Sequence, residues 1–136
     1  MSSEEEEHAI GILREAYAAF NRGDIPAAVK SLDPHIEWTE PAEFPRGGTY
    51  NGRSEVAGYL TESRARWAEG SSEPEKFIAQ GSRIVVLVHA RFRPKGSTAW
   101  SEVKLADVYT FRDGRPVQMR AFADRSAALR WVGFNR

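Results

Sequence analysis

Two carboxylates and a phenol stand at positions where the surrounding pattern is apolar. Asp107 alternates with Val103, Leu105, Tyr109 and Phe111, while Glu102, Lys104 and Thr110 take the intervening positions. In an extended chain this puts the aspartate on the inward face. Glu40 continues the face of Ile36 and Trp38 in the same way, and Tyr17 falls in the apolar stripe formed by Ile10, Leu13 and Phe20. A carboxylate in an apolar site must find a partner or hold its proton, and a buried phenol normally finds a hydrogen-bond partner. A raised acid beside a phenol is equipment for proton transfer. The same pattern also fits a structural role, in which Asp107 ties strands together, Glu40 meets an arginine or caps a loop, and Tyr17 packs.

Other chemistries are narrowed by composition. The chain has no cysteine, so it has no disulfide, thiolate nucleophile or cysteine-bound metal. His8, His35 and His89 are far apart in sequence and lack a second ligand at metal spacing, so no metal is expected. Nineteen basic and nineteen acidic residues cancel, which argues against a nucleic-acid partner. No stretch approaches the roughly 20 apolar residues of a membrane span, and the N-terminus opens on Glu4 to Glu7 instead of a basic signal segment. These features predict a cytoplasmic protein without membrane attachment.

The elements that must position the three groups are readable from spacing. Glu4 to Glu7 and the Ile10–Leu13–Tyr17–Phe20 stripe predict a first helix ending near Gly23, and Asp24 caps a short second helix that stops before Pro34. Ile36 to Glu40 alternate as a strand closed by Pro41, and a glycine- and proline-rich loop follows. Ser54 caps a third helix whose face carries Val56, Tyr59, Leu60, Ser63 and Trp67, before a Gly70–Pro74 loop. Strands then occupy 76–80, 83–93, 100–111 and 117–123, separated by Gly81-Ser82, by Pro94 to Ser97 and by Asp113-Gly114, and Asp124 caps a closing helix over 126–131. Helices first and strands after predict one α+β domain over residues 1–136, with helices on one face of a curved antiparallel sheet. Val85 and Leu87 place apolar surface on the other face, which predicts a homodimer; the alternative is a strand end tucked under the closing helix.

With these stretches in order, namely Tyr17 to Asp24, Trp38 to Pro41, Tyr50 to Arg53, Ala106 to Gly114 and Arg120 to Asp124, the chain resembles the nuclear transport factor 2-like superfamily, in its ketosteroid isomerase-like and SnoaL-like branches. The resemblance implies cone-shaped helices on a strongly bent sheet, a deep apolar pocket and frequent dimers. It puts Tyr17 where ketosteroid isomerases have the oxyanion-hole tyrosine, Asp107 where they keep a neutral aspartic acid, and Glu40 where they have the general-base aspartate. Glutamate in place of aspartate moves the carboxylate outward by about 1.5 Å. The implied activity is cofactor-independent acid–base chemistry, isomerase-like or polyketide-cyclase-like, on a small hydrophobic carbonyl compound held by Trp38, Phe44, Tyr59, Trp67, Trp100 and Met119. Another reading is a non-catalytic ligand-binding or dimerising module, for which these side chains would fill a solid core. Limonene epoxide hydrolases share the fold and use two aspartates, matched in outline by Asp107 and Asp124, but the arginine expected before the first is Leu105 here. Arg53, Arg64, Arg66 and Arg91 are candidates for charging the pocket mouth, with solvated surface arginine as the default.

Overall fold

The first helix starts where sequence and dipole agree. In the computed structural model, which describes residues 1–134, Ser2 caps α1 (Ser3–Asn21) by accepting from the Glu5 N–H, and the Glu5 carboxylate accepts from the Ser2 N–H in return. Gly23, with φ +82°, turns the chain, and Asp24 caps α2 (Ile25–Val29) through the Ala27 N–H at 3.2 Å. β1 (Glu37–Glu40) carries Trp38 and Glu40 inward.

The next segments depart from the spacing argument. The loop after Pro41 contains a strand, β2 (Gly48–Asn51), paired with β1. The third helix, α3 (Gly52–Ala65), therefore begins straight from β2. Its N-cap is Asn51, not Ser54, and the Glu55 carboxylate accepts from the Asn51 N–H at 2.8 Å. Trp67 is not on that helix; it opens β3 (Trp67–Gln80), which runs through the segment expected to be a Gly70–Pro74 loop. β3 lies at the sheet edge, where Pro74 lies at a register shift without breaking the pairing, and Gly70 lets β4 approach: a Cβ there would stand 2.7 Å from that of Phe92.

β4 (Arg83–Pro94), β5 (Ser101–Arg112) and β6 (Arg115–Phe122) complete a bent six-stranded sheet in the order β2-β1-β6-β5-β4-β3. The β5–β6 turn uses Asp113 and Gly114 at φ 53° and 78°, the backbone of a tight hairpin. One pairing is parallel, β1 with β6; the other four are antiparallel.

On the inner face, Leu13, Val29 and Val56 from α1, α2 and α3 pack with Ile84, Val86 and Met119 of the sheet. The outer face is not bare. The closing helix α4 (Arg125–Trp131) lays Ala128 on Val85, Ala106 and Val108, so helices cover both faces and not one. Seven residues suffice because the strands beneath present a small apolar patch. Among the described residues, no helix is long and apolar enough to cross a membrane.

Candidate active site

The bent sheet and the helices α1, α2 and α3 enclose a cavity of about 530 Å³, within the usual range of small-molecule sites. It stays open because Ala16, Ala28, Ser31, Ser63, Ser72 and Ala90 line it, where larger side chains would fill the space. Alternation places Asp107 opposite Val86 on β4 and Ala121 on β6, facing the cavity from the middle of the sheet. Tyr17 reaches it from α1 and Glu40 from β1.

Tyr17 and Asp107 are joined by a hydrogen bond, and Glu40 is held separately by Trp38. The Tyr17 hydroxyl donates to Asp107 Oδ2, and the Tyr109 hydroxyl donates to Tyr17 Oη at 3.1 Å. Tyr109 was legible in the sequence as a neighbour on the face of Asp107, but its hydroxyl contact across to α1 depends on how helix and sheet meet. The Trp38 indole N–H donates to Glu40 Oε2 at 2.8 Å, a contact two residues apart on one strand face. Trp38 packs edge-on against Tyr109, with centroids 6.1 Å apart.

Burial dominates the titration of both acids. It pushes Glu40 up to about 8, with the nearby charge of Asp107 adding to the rise and the Trp38 N–H opposing it. It pushes Asp107 up to about 6, against the hydrogen bond from Tyr17. Tyr17 and Tyr109 are held well above the ordinary phenol range, again by burial first and then by the charge of Asp107. Both phenols are thus donors at neutral pH. Both carboxyls are thus raised by burial, Glu40 the further of the two.

Trp38, Phe44, Tyr59 and Trp67 line the cavity. Trp67 stacks on Phe92 at 5.3 Å, a contact that its place on β3 allows. Trp100 and Met119 do not line it. Trp100 precedes β5 on the outer face, 45% exposed beside Arg91, and Met119 lies wholly inside the core between Trp38 and Tyr109 in the strand register. Trp100 has the parity of Glu102 and Lys104, opposite to Asp107, so the strand turns it away.

Asp124 is the cap of α4, accepting from the Ser126 N–H at 2.9 Å, and it does not line the cavity. The epoxide-hydrolase pairing of Asp107 with Asp124 therefore has no shared site. Arg53 donates to the Leu32 carbonyl, and Arg64 donates to the Phe20 and Asn21 carbonyls at the end of α1. Of the four arginines considered from sequence, only Arg66 lines the cavity. A fifth, Arg46, also lines it; its loop has no periodicity that would have shown this. Among the described residues, no group of three or more His, Asp or Glu side chains is placed to hold a metal ion.

Residues 13–119 match the SnoaL-like domain family. The chain belongs to that family. No curated protein matches it. Among solved structures, an NTF2-like protein of unknown function from Burkholderia pseudomallei is 30% identical, with 98% of this SnoaL-like chain and 99% of that one covered, at a TM-score of 0.77. TerC co-crystallised with polyporic acid is 23% identical, with 92% and 98% covered, at a TM-score of 0.76. A protein of ketosteroid isomerase-like fold from Catenulispora acidiphila, in complex with trimethylamine, is 17% identical, with 91% and 93% covered, at a TM-score of 0.74. The last two share the fold, and the family match together with the Burkholderia NTF2-like protein bears out the superfamily that the sequence motifs resemble.

Proposed function

We propose that this SnoaL-like protein is a cofactor-independent acid–base enzyme that moves a proton beside the carbonyl of a small hydrophobic compound. The observation that carries the reading is the convergence of Glu40, Tyr17 and Asp107 on one largely apolar cavity. TerC, of the same fold, was co-crystallised with polyporic acid, which supports reading the cavity as a ligand site.

In the proposed reaction, ionised Glu40 removes a proton from the carbon next to the carbonyl. The electron pair moves onto the carbonyl oxygen, and Tyr17 and protonated Asp107 donate to the enolate that forms. Tyr109 already donates to Tyr17, so the Tyr17 O–H can turn from Asp107 to the enolate while the phenol oxygen keeps a donor. In an isomerisation Glu40 returns the proton to a different carbon. In a cyclisation the enolate carbon attacks a second carbonyl of the same molecule, and the proton on Glu40 goes to the new alkoxide.

The reaction requires Glu40 ionised and Asp107 protonated, whereas burial raises Glu40 the further of the two, so substrate binding has to shift the proton to Asp107. A substrate carbonyl oxygen facing Asp107 favours that shift, because the hydrogen bond it accepts from the protonated acid stabilises the neutral form.

The test is titration with a fluorescent naphthol whose ionisation state is visible in its spectrum, comparing wild type with Asp107→Leu and Tyr17→Phe. The naphtholate stands in for the enolate. Wild type is expected to bind it in the ionised form, with affinity falling about tenfold or more in each variant. Binding of the neutral form alone, or binding indifferent to both changes, would point instead to a non-catalytic ligand-binding module.

A further inference from the structure

Arg46 stands in the cavity wall with a donor left over. Its Nη1 meets the exposed Glu62 carboxylate at 2.9 Å and its Cζ lies 5.9 Å from the centre of the Tyr59 ring. Its Nε, by contrast, is buried and has no hydrogen-bond partner, alone in this among the side-chain atoms of the described residues. A charged group with an unmet buried donor is costly, so the position calls for a partner that the chain does not supply.

The loop holds the arginine there. The Tyr50 hydroxyl donates to the Arg46 carbonyl at 2.7 Å, and the Gly47 N–H donates to the Phe44 carbonyl at 3.0 Å. Gly47 folds so tightly onto the strand end that a Cβ would stand 2.1 Å from the Pro41 oxygen. The loop backbone at Arg46 is therefore fixed by contacts of its own.

Arg66, at the end of α3, lines the same cavity from its exposed rim and has no ion-pair partner among the described residues. Arg46 and Arg66 thus line the cavity that also holds Glu40 and Asp107, and Glu62, the acid paired with Arg46, is itself largely solvated.

We infer that the cavity takes an apolar molecule that carries, besides its reacting carbonyl, one anionic oxygen group of the carboxylate class, which pairs with the Arg46 guanidinium while Arg66 adds positive charge at the rim. An anion, unlike a neutral acceptor, uses the charge of both arginines, and a guanidinium matches a carboxylate in shape. The inference names the substrate class of the acid–base site proposed above and rests on that cavity being the substrate site.

Two matched fluorescent probes separate charge from apolar fit: 1-anilinonaphthalene-8-sulfonate, whose sulfonate stands in for the carboxylate, and neutral N-phenyl-1-naphthylamine. Folded wild type is expected to bind the sulfonate about tenfold more tightly than the amine. Arg46→Gln should abolish that preference while changing amine affinity by less than about twofold. Glu62→Gln, a change at an exposed position, frees Nη1 and should tighten sulfonate binding by about twofold, which tests the idea even if the arginine variant does not fold. No preference for the sulfonate in wild type, no binding of either probe, or equal losses for both probes in Arg46→Gln would overturn the inference. Asp107→Leu should leave the preference intact. A naphtholate titration that fails while the preference persists thus removes the acid–base reading alone, and lost preference with intact naphtholate binding removes this inference alone.

Discussion

A carboxylic acid facing an apolar wall keeps its proton longer than it would in water, and that difference is written into stability as well as chemistry. Glu40 and Asp107 have raised values in the folded chain, so between the ordinary carboxylate range and about 8 the folded state binds more protons than the unfolded state. Stability contributed by these acids is therefore fully present below the unfolded values and is lost as pH rises through the folded ones. Asp107→Asn removes one ionisation while keeping an acceptor for Tyr17. We expect the variant to melt about 5 °C above wild type at pH 8 and within about 1 °C of it at pH 4, read by thermal unfolding. Parallel pH profiles for the two proteins would show that Asp107 is not desolvated as its position implies.

At the scale of elements, the short closing helix illustrates how one residue type serves two readings. Asp124 could be a second catalytic acid or a helix cap, and the sequence supports both. Its carboxylate spends itself on the Ser126 N–H, on the opposite side of the sheet from the cavity. Asp124→Ala should cost about 1 kcal/mol in denaturant unfolding, the ordinary value of such a cap, and leave naphthol binding unchanged. A loss of ligand binding at unchanged stability would restore the catalytic reading. The strands at 83–93 and 100–111 were legible to within a residue or so because alternation and turn residues agree there. β2 and the first half of β3 were not, because Gly48, Gly70 and Pro74 are turn residues by type and become strand residues only through their pairings to β1 and β4.

For the whole molecule, α4 changes the argument about a partner copy. Val85 and Ala106 find cover inside the chain, while Leu87 is half-buried and Trp100 remains open beside Arg91 on the same outer face. We propose that this uncovered part of the outer face forms a homodimer. Sedimentation velocity should then return about twice the 15.3 kDa of one chain, and Trp100→Glu should return a single-chain mass. A monomeric wild type at concentrations of tens of micromolar would discard the dimer and leave Trp100 as a solvated aromatic beside an arginine.

What the sequence determined alone was whatever depends on period and on local chemistry: the amphipathic first helix, the inward faces of Tyr17, Glu40 and Asp107, the Asp24 and Asp124 caps and the Asp113-Gly114 hairpin. Alternation says which face a residue joins without saying what stands opposite it. Tertiary structure alone decided that Tyr17 and Tyr109 meet Asp107 in one hydrogen-bonded line, that Trp100 turns away and Met119 is sealed in the core, and that Arg46 enters the wall from a loop without a pattern. It also decided that a cavity exists. Whether aromatic and small side chains fill a space or surround one depends on the bend of the sheet and the seat of the helices upon it, which are set by contacts between residues distant in sequence.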